Sequence, residues 1–273
     1  MRIQTKNIHG KLRKLYIPNR QEKKILKKLI PEIIRYQETA DHYHVQHGFA
    51  HRKSSVTNAL AHSNYQYTIS FDFKDFFGSI TEKHLRGKLP EDIISQVLFD
   101  GAPQQGLPTS PAVSNIAASS FDEAVVELLY RNFKQVQYTR YVDDLTFSTD
   151  SIESIKCLGK EIPKIAEEYE FNINHKKTRI QKASSGRRII TGIAVDETIH
   201  PTRKSKRKLR AALHQGNTNK AQGLSEWVRC KEPNGLVYFI CVNCDSEASG
   251  YLGEIVFCPV CHIGFIAKNI SEH

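Results

Sequence analysis

The stretch that decides the fold reads Tyr138-Thr139-Arg140-Tyr141-Val142-Asp143-Asp144-Leu145-Thr146-Phe147. Aromatic and β-branched residues flank its centre, which predicts two strands joined by a tight turn at or beside the two acids. Adjacent carboxylates repel each other unless a cation is present. An ordinary Asp-rich turn is the alternative, but the apolar residues that bury this hairpin favour a metal-binding pair.

A second predicted strand carries another carboxylate. Polar and apolar residues alternate between 67 and 73, which is the period of a strand with one apolar face. Asp72 falls on the polar face, away from the core packing, where a lone Asp is ordinarily just solvated. The apolar positions are Tyr67, Ile69, Phe71 and Phe73.

Three such carboxylates can build a centre for nucleotidyl transfer. Two Mg²⁺ ions about 3.5–4 Å apart would hold the attacking 3′-hydroxyl and the leaving pyrophosphate, and Mg²⁺ prefers carboxylate, water and phosphate oxygens. We expect Asp72 and Asp143 to bridge both ions, with help from Asp144. The backbone carbonyl of Phe73 could supply another oxygen.

Three blocks of the sequence, in this order, resemble those of reverse transcriptases. Residues 71–77 resemble the first catalytic-Asp block, and residues 141–144 resemble the Tyr-x-Asp-Asp motif. Between them, residues 105–111 and Asn115 resemble the Gln-Gly-x-x-x-Ser-Pro…Asn block, which holds the incoming nucleotide and the template. Tyr-x-Asp-Asp alone occurs by chance, whereas the ordered set is specific. The resemblance implies an RNA-directed DNA polymerase that uses dNTPs and two Mg²⁺ ions.

The resemblance also assigns roles to single residues. Phe77 falls where the family places an aromatic steric gate against the ribose 2′-hydroxyl. Lys177, or alternatively Lys176, would protonate the leaving pyrophosphate; a solvated surface charge is the other interpretation of each basic residue. The residues expected to bind the incoming nucleotide are Lys11, Arg13, Phe77, Gln105 and Gly106.

Two further motifs favour retrons within this family. Residues 58–62 resemble the Asn-Ala-x-x-His motif, and residues 190–192 resemble Val-Thr-Gly with Ile in place of Val. The resemblance implies a structured noncoding RNA as template and primer, a DNA product held in an RNA–DNA hybrid, and RNA contacts by Asn58, His62 and Thr191. It also implies phage defence together with an effector protein. The alternatives are another defence-associated or group II intron-like reverse transcriptase, or a catalytically silent RNA-binding protein on a polymerase fold.

The formal net charge of +10 suits a polyanionic partner, although simple solubility is the alternative. Between residues 203 and 210 the chain is rich in cations and has no acid. Leu209, Ala212 and Leu213 would form the packed stripe of a helix there, and its cationic face would lie along an RNA duplex or hybrid, which proteins read by shape and phosphate contacts. The residues expected to contact RNA are Arg203, Lys204, Arg207 and Arg210.

Four of the six cysteines form two C-x-x-C pairs, and four thiolates complete a closed, structural Zn²⁺ site. No signal peptide or membrane-spanning run is recognisable, so we expect a cytoplasmic protein with no membrane partner, in which metal binding is favoured over disulfides. The expected zinc ligands are Cys241, Cys244, Cys258 and Cys261.

The expected fold class is α+β: a right-hand polymerase fold with fingers, palm and a short thumb, plus a small C-terminal Cys₄ zinc ribbon. We expect fingers at 1–64 together with 79–104, a palm at 65–200, a thumb at 201–228 and the ribbon at 229–273. The apolar stripe from Ile25 to Ile34 predicts a helix that kinks or restarts at Pro31.

Overall fold

The computed structural model describes residues 1–8, 10–40, 43–133 and 135–229, and four strands beyond them. The strands are β1 (Arg2–Ile8), β2 (Lys11–Ile17), β3 (Tyr67–Asp72), β4 (Gln137–Tyr141), β5 (Asp144–Thr149), β6 (Arg179–Lys182), β7 (Arg188–Ile190), β8 (Ile193–Val195), β9 (Ile199–Pro201), β10 (Leu236–Ile240), β11 (Glu247–Tyr251), β12 (Ile255–Phe257) and β13 (Gly264–Ile266). The helices are α1 (Arg20–Glu38), α2 (Ser55–Leu60), α3 (Phe76–Ser79), α4 (Glu91–Val97), α5 (Ser110–Ala117), α6 (Ser119–Asn132), α7 (Ile152–Glu168), α8 (Arg203–His214) and α9 (Thr218–Arg229).

A four-stranded antiparallel sheet, in the order β4-β5-β3-β6, forms the centre of the molecule. The apolar residues of β3 and β5 face the main hydrophobic core, where Phe71 and Phe147 pack edge to face with ring centroids 5.8 Å apart. Helix α7 packs against both strands. The sheet therefore fixes β3, which carries Asp72, directly beside the strand that follows the Asp143 turn.

The polar face of β3 is covered by protein, so Asp72 is not a solvated surface residue. Thr68 is fully buried, and Asp72 is only 7% exposed. The buried guanidinium of Arg188, on β7, donates to Thr68 Oγ1 at 3.0 Å, so the polar residues of this face meet other polar residues instead of water.

A small antiparallel sheet, β7-β8-β9, lies against α2. Ala59 and Ile190 belong to one buried cluster, so the two motifs that resemble retron sequences pack against each other although they are far apart in the chain.

Helix α1 begins at a capping box, in which Asn19 and Glu22 satisfy each other's backbone N–H groups. The helix continues through Pro31 for 19 residues, so the restart expected there does not occur. Leu26 and Ile33 are buried on either side of the proline, and their packing holds both halves of the helix in place despite the lost hydrogen bond.

The sequence predicts a basic helix, which is α8; a second helix, α9, follows it and packs against it. Ala212 is fully buried, but Leu213 is 62% exposed, so the apolar stripe of α8 is narrower than expected. Further on, β10 pairs with β11 and β12 with β13. None of the described helices is long and apolar enough to cross a membrane. The four expected zinc ligands lie outside the described residues: Cys241, Cys244, Cys258 and Cys261.

Candidate active site

Three carboxylates from distant parts of the chain converge at one end of the central sheet. Asp72 pairs with Asp144 in the register of β3 and β5, and directly opposed residues in such a pair have Cα atoms about 4.5–5.5 Å apart. The backbone N–H of Phe73 donates to the carbonyl of Asp143 at 2.9 Å. The convergence expected from the sequence is therefore present.

The turn that carries Asp143 is strained. Val142 and Asp143 join β4 to β5, and Val142 has φ 61°, which is unfavourable for a β-branched residue. Arg140 supports the turn, because its Nη1 donates to the carbonyl of Val142 at 3.2 Å. Strain of this kind persists only where the surroundings hold it in place.

Arg140 is the centre of a buried polar network below the turn. Its Nη2 pairs with Asp122 Oδ2 at 2.7 Å, and both side chains are fully buried. Asp122 also accepts from Tyr138 Oη at 2.8 Å, and Arg140 Nη1 donates to Asn115 Oδ1 at 3.0 Å. Removing one partner of a buried ion pair typically costs about 3–5 kcal/mol, so this network is a strong constraint on the position of the hairpin.

A neighbouring segment seals the turn from the side. The N–H of His47 donates to the carbonyl of Arg140 at 2.8 Å. A Cβ added at Gly48 would lie 2.6 Å from the nitrogen of Val142, so only glycine fits there. The carbonyl of Gly48 accepts from Asn115 Nδ2 at 2.7 Å, which ties the segment to α5.

The electrostatics of the site favour a bound cation. Burial, together with the charges of Asp143 and Asp72, raises the pKa of Asp144 to about 7. Burial also raises the pKa of Asp143, whereas Lys177 and Arg13 act to lower it. The acids are thus incompletely compensated by the cations around them.

The donor set suits Mg²⁺, because it consists of hard carboxylate oxygens at a buried, cation-deficient position. Among the described residues no three acidic, histidine or cysteine side chains form a ready coordination cluster. Mg²⁺ usually keeps waters and binds substrate phosphates, so a closed protein shell is not required. At present Lys177 Nζ contacts Asp72 Oδ2 at 2.5 Å, and Asn174 Nδ2 donates to Asp72 Oδ1 at 3.3 Å.

The structure brings the residues expected to bind the nucleotide to the same region. Arg13 Nη1 donates to Gln105 Oε1 at 3.4 Å, and the N–H of Tyr16 donates to the carbonyl of Gln105 at 2.9 Å. Gly106 has φ 102°, and a Cβ there would lie 2.5 Å from the carbonyl oxygen of Tyr16. Phe77 is half-buried beside Phe76. The side chain of Lys11 lies outside the described part of the structure.

Comparison with known proteins identifies this arrangement. A family model for reverse transcriptases (RNA-dependent DNA polymerases) matches residues 3–204. The chain belongs to the reverse transcriptase family. The resemblance inferred from the three sequence blocks is therefore confirmed, and so is the α+β polymerase fold.

Several curated relatives of this chain are retron reverse transcriptases. The retron Mx65 reverse transcriptase of Myxococcus xanthus is 29% identical over 233 residues, which cover 76% of this chain and 53% of the relative. The retron Mx162 enzyme of the same organism is 27% identical, over 77% of this chain and 51% of the relative. The Escherichia coli retron Ec86 enzyme is 24% identical, over 83% and 73%. The chain thus spans about half the length of the two Myxococcus relatives.

Solved structures of telomerase share the fold. Telomerase from Candida albicans, in complex with a fragment of telomeric RNA, superimposes with a TM-score of 0.55 at 13% identity, over 74% of this chain and 45% of the telomerase chain. Apo telomerase from Candida tropicalis, truncated from its C-terminal domain, gives 0.52 at 14% identity, over 73% and 54%. At these identities the likeness concerns the fold alone.

Two residues of the chain that we expected to contact RNA are instead buried. His62 is fully buried, and its ring hydrogen-bonds to Ser148 Oγ at 2.9 Å and Thr139 Oγ1 at 2.7 Å. Asn58 is also fully buried, and its Nδ2 donates to Thr191 Oγ1 at 3.5 Å. Direct RNA contact by Asn58 and His62 therefore does not fit the structure, because protein atoms enclose both side chains.

The other residues that we expected to contact RNA are accessible. Thr191 is only partly buried and has φ 44°. Lys177, rather than its exposed neighbour Lys176, is the lysine that contacts Asp72. The four cations expected to bind RNA are all exposed on α8: Arg203, Lys204, Arg207 and Arg210.

Two groups of the site were not predicted from the sequence: Arg140 with Asp122, and the segment around Gly48. The signal for the first was weak, because β4 mixes polar and aromatic residues and a charged residue does not stand out there. Nothing local indicated that Gly48 would lie against a turn more than ninety residues further along the chain.

Proposed function

We propose that the chain is an RNA-directed DNA polymerase of the retron type, which extends a primer with deoxynucleotides by two-metal nucleotidyl transfer. The observation that carries the proposal is the register that places Asp72 opposite Asp144 and beside Asp143. The raised pKa of Asp143 and Asp144 supports it, because such a cluster favours divalent cations.

Each side chain of the site has a place in this chemistry. Asp72 and Asp143 would hold both Mg²⁺ ions, assisted by Asp144 and the carbonyl of Phe73. The chemistry that bound Mg²⁺ supplies is activation of the 3′-hydroxyl and stabilisation of the pyrophosphate. Lys177 would leave Asp72 when the cations bind, and its ammonium would then be available to protonate the pyrophosphate.

The incoming dNTP would lie between β2 and the loop before α5. Arg13 and Gln105 are already joined there by a hydrogen bond, and Lys11 lies on the same strand. Gly106 lets the loop approach β2 closely. Phe77, in the first turn of α3, would exclude a ribose 2′-hydroxyl.

The polymerase subdivisions follow from this assignment. Residues 1–64 with 79–104 would be the fingers, 65–200 the palm and 201–228 a short thumb. The exposed cations of α8 support contact with an RNA duplex or RNA–DNA hybrid, since such duplexes are bound through phosphates and shape. A Cys₄ zinc ribbon at 229–273 completes the proposal.

The template is proposed to be a structured noncoding RNA that also supplies the primer. The support is the set of retron relatives together with the packing of the Asn-Ala-x-x-His segment against the Ile-Thr-Gly segment. A role in phage defence with an effector protein belongs to the same proposal. Sequencing the nucleic acid that co-purifies with the chain would identify the template.

The polymerase assignment is tested with the full chain, a DNA primer annealed to an RNA template, dNTPs and Mg²⁺. Wild-type protein is expected to extend the primer. Asp143→Ala is expected to reduce extension to background while the affinity for RNA, measured by fluorescence anisotropy, stays within about twofold. Asp92→Ala, which removes an exposed acid from α4, serves as control. Equal extension by Asp143→Ala and wild type would overturn the assignment.

A further inference from the structure

Phe49 combines two features that are unfavourable together. Its backbone has φ 56°, a left-handed conformation that costs a bulky residue conformational free energy. Its side chain is 51% exposed, so burial of the ring offsets only part of that cost. A large, exposed aromatic residue held in a strained conformation suggests a function rather than a contribution to packing.

Buried side chains from other elements fix the backbone around Phe49. Its carbonyl accepts from Nε2 of Gln37, a buried residue of α1, at 3.2 Å. The preceding carbonyl, of Gly48, accepts from the fully buried Asn115 at 2.7 Å. The N–H of His47 donates to the strand that leads into the catalytic turn. The ring is therefore presented to solvent from a rigid support.

That support is part of the active site. Gly48 packs so closely on Val142 that a Cβ would be 2.6 Å from the Val142 nitrogen. Consecutive Cα atoms are about 3.8 Å apart, so Phe49 is one residue from contact with the turn that carries Asp143. Phe49 therefore lies next to the catalytic turn, with about half of its surface open to solvent.

The residues directly after Phe49 are suited to binding a nucleic acid. His51 and Arg52 are both exposed. The backbone of Arg52, like that of Phe49, is left-handed, with φ 54°. An aromatic ring close to an arginine is the usual composition of a single-strand binding site, in which a base stacks on the ring and cations contact the nucleic-acid backbone.

We propose that Phe49 is a stacking platform for one unpaired nucleobase of the template strand, next to the position where the incoming nucleotide pairs. This inference rests on the proposed polymerase function. An unpaired base is the favoured occupant because its π-face is free, whereas bases within a duplex already stack on their neighbours. A single exposed ring offers no hydrogen-bond readout, so the contact would tolerate any base.

The test compares two ligands that differ only in the template overhang: a primer–template with a 5′ single-stranded template extension, and the blunt duplex of the same sequence. Phe49→Ala is expected to weaken binding of the overhang ligand about tenfold, within the range for loss of one base stack, and to leave the blunt duplex within about twofold. Phe49→Trp is expected to retain wild-type affinity. Tyr130→Ala, which removes another exposed ring, on α6, is the matched control and should change neither.

A glycine variant separates binding from folding. Phe49→Gly relieves the left-handed conformation, so its Tm is expected to equal or exceed that of wild type, while overhang binding falls as in Phe49→Ala. A lowered Tm with a parallel loss of affinity for both ligands would show that the ring is structural, and would overturn the proposal.

Two further outcomes are distinguishable. If wild-type protein extends primers and Phe49→Ala binds both ligands as tightly as wild type, the stacking site is refuted while the polymerase function stands. If wild-type protein extends no primer, the polymerase function itself fails, and the stacking proposal fails with it.

Discussion

The stability of this protein should depend on pH through one buried histidine. His62 is fully enclosed between α2 and the central sheet, where its ring hydrogen-bonds to Thr139 on β4 and Ser148 on β5. Burial, together with the positive charge of Arg188, lowers the pKa of His62 from 6.5 to about 3. The folded protein therefore keeps this ring neutral at a pH where the unfolded chain protonates it.

The sign and size of the effect follow from that difference. Between pH 6.5 and 3 the unfolded state binds a proton at this position and the folded state does not, so the stabilisation is fully present above pH 6.5 and is lost as the pH falls below it. Lowering the pH from 7 to 5 should reduce the free energy of unfolding by about 2 kcal/mol through His62 alone.

His62→Gln removes the titrating group, and urea unfolding at pH 7 and pH 5 measures the difference. The variant is expected to be less stable than wild type at pH 7, since it cannot make both ring hydrogen bonds. Its loss of stability between pH 7 and pH 5 should be about 2 kcal/mol smaller. Burial also lowers the pKa of His47. Because His47 is present in both proteins, its contribution to the pH dependence cancels in the comparison. An identical pH-dependent loss in the two proteins would refute this reasoning.

Three further predictions concern other parts of the chain. Phe77→Ala should admit ribonucleotides in a primer-extension assay, because a ring at this position would clash with the 2′-hydroxyl; unchanged sugar selectivity would contradict the gate. Gly106→Ala should raise the KM for dNTPs about tenfold or more, since its Cβ would lie 2.5 Å from the carbonyl of Tyr16 at φ 102°; steady-state kinetics with an unaltered KM would argue against this placement. Cys258→Ser, or chelation, should release about one zinc per chain and unfold mainly the C-terminal segment; loss of the central sheet, followed by circular dichroism, would exclude an independent module.

The catalytic hairpin was predictable because its signal is local. Strand residues on both sides of Asp143 and Asp144 define the turn, and the alternation around Asp72 defines a second strand. That these two strands pair was not predicted from local sequence; only the family resemblance placed their carboxylates at one site. The basic helix α8 was predictable because its cations and its apolar residues are also local.

The surroundings of the hairpin were not predictable, because they depend on contacts between distant segments. Asn usually lies on the surface and His is intermediate, and nothing in the neighbourhood of Asn58 and His62 shows that α2 packs against β4 or that His62 contacts β5. The restart expected at Pro31 rested on the local effect of proline, whereas the packing of Leu26 and Ile33 keeps the helix continuous. Arg140 was not predicted to be buried, because β4 mixes polar and aromatic residues.

The link between β2 and the loop before α5 has a mechanical consequence. Tyr16 is joined to that loop by a main-chain hydrogen bond to Gln105, and its hydroxyl donates to Asp100. The N-terminal hairpin of β1 and β2 is consequently coupled to this loop. A displacement of the hairpin also displaces Gln105. A spectroscopic label on the exposed Leu12 would then report structural changes near the catalytic carboxylates from a distant position.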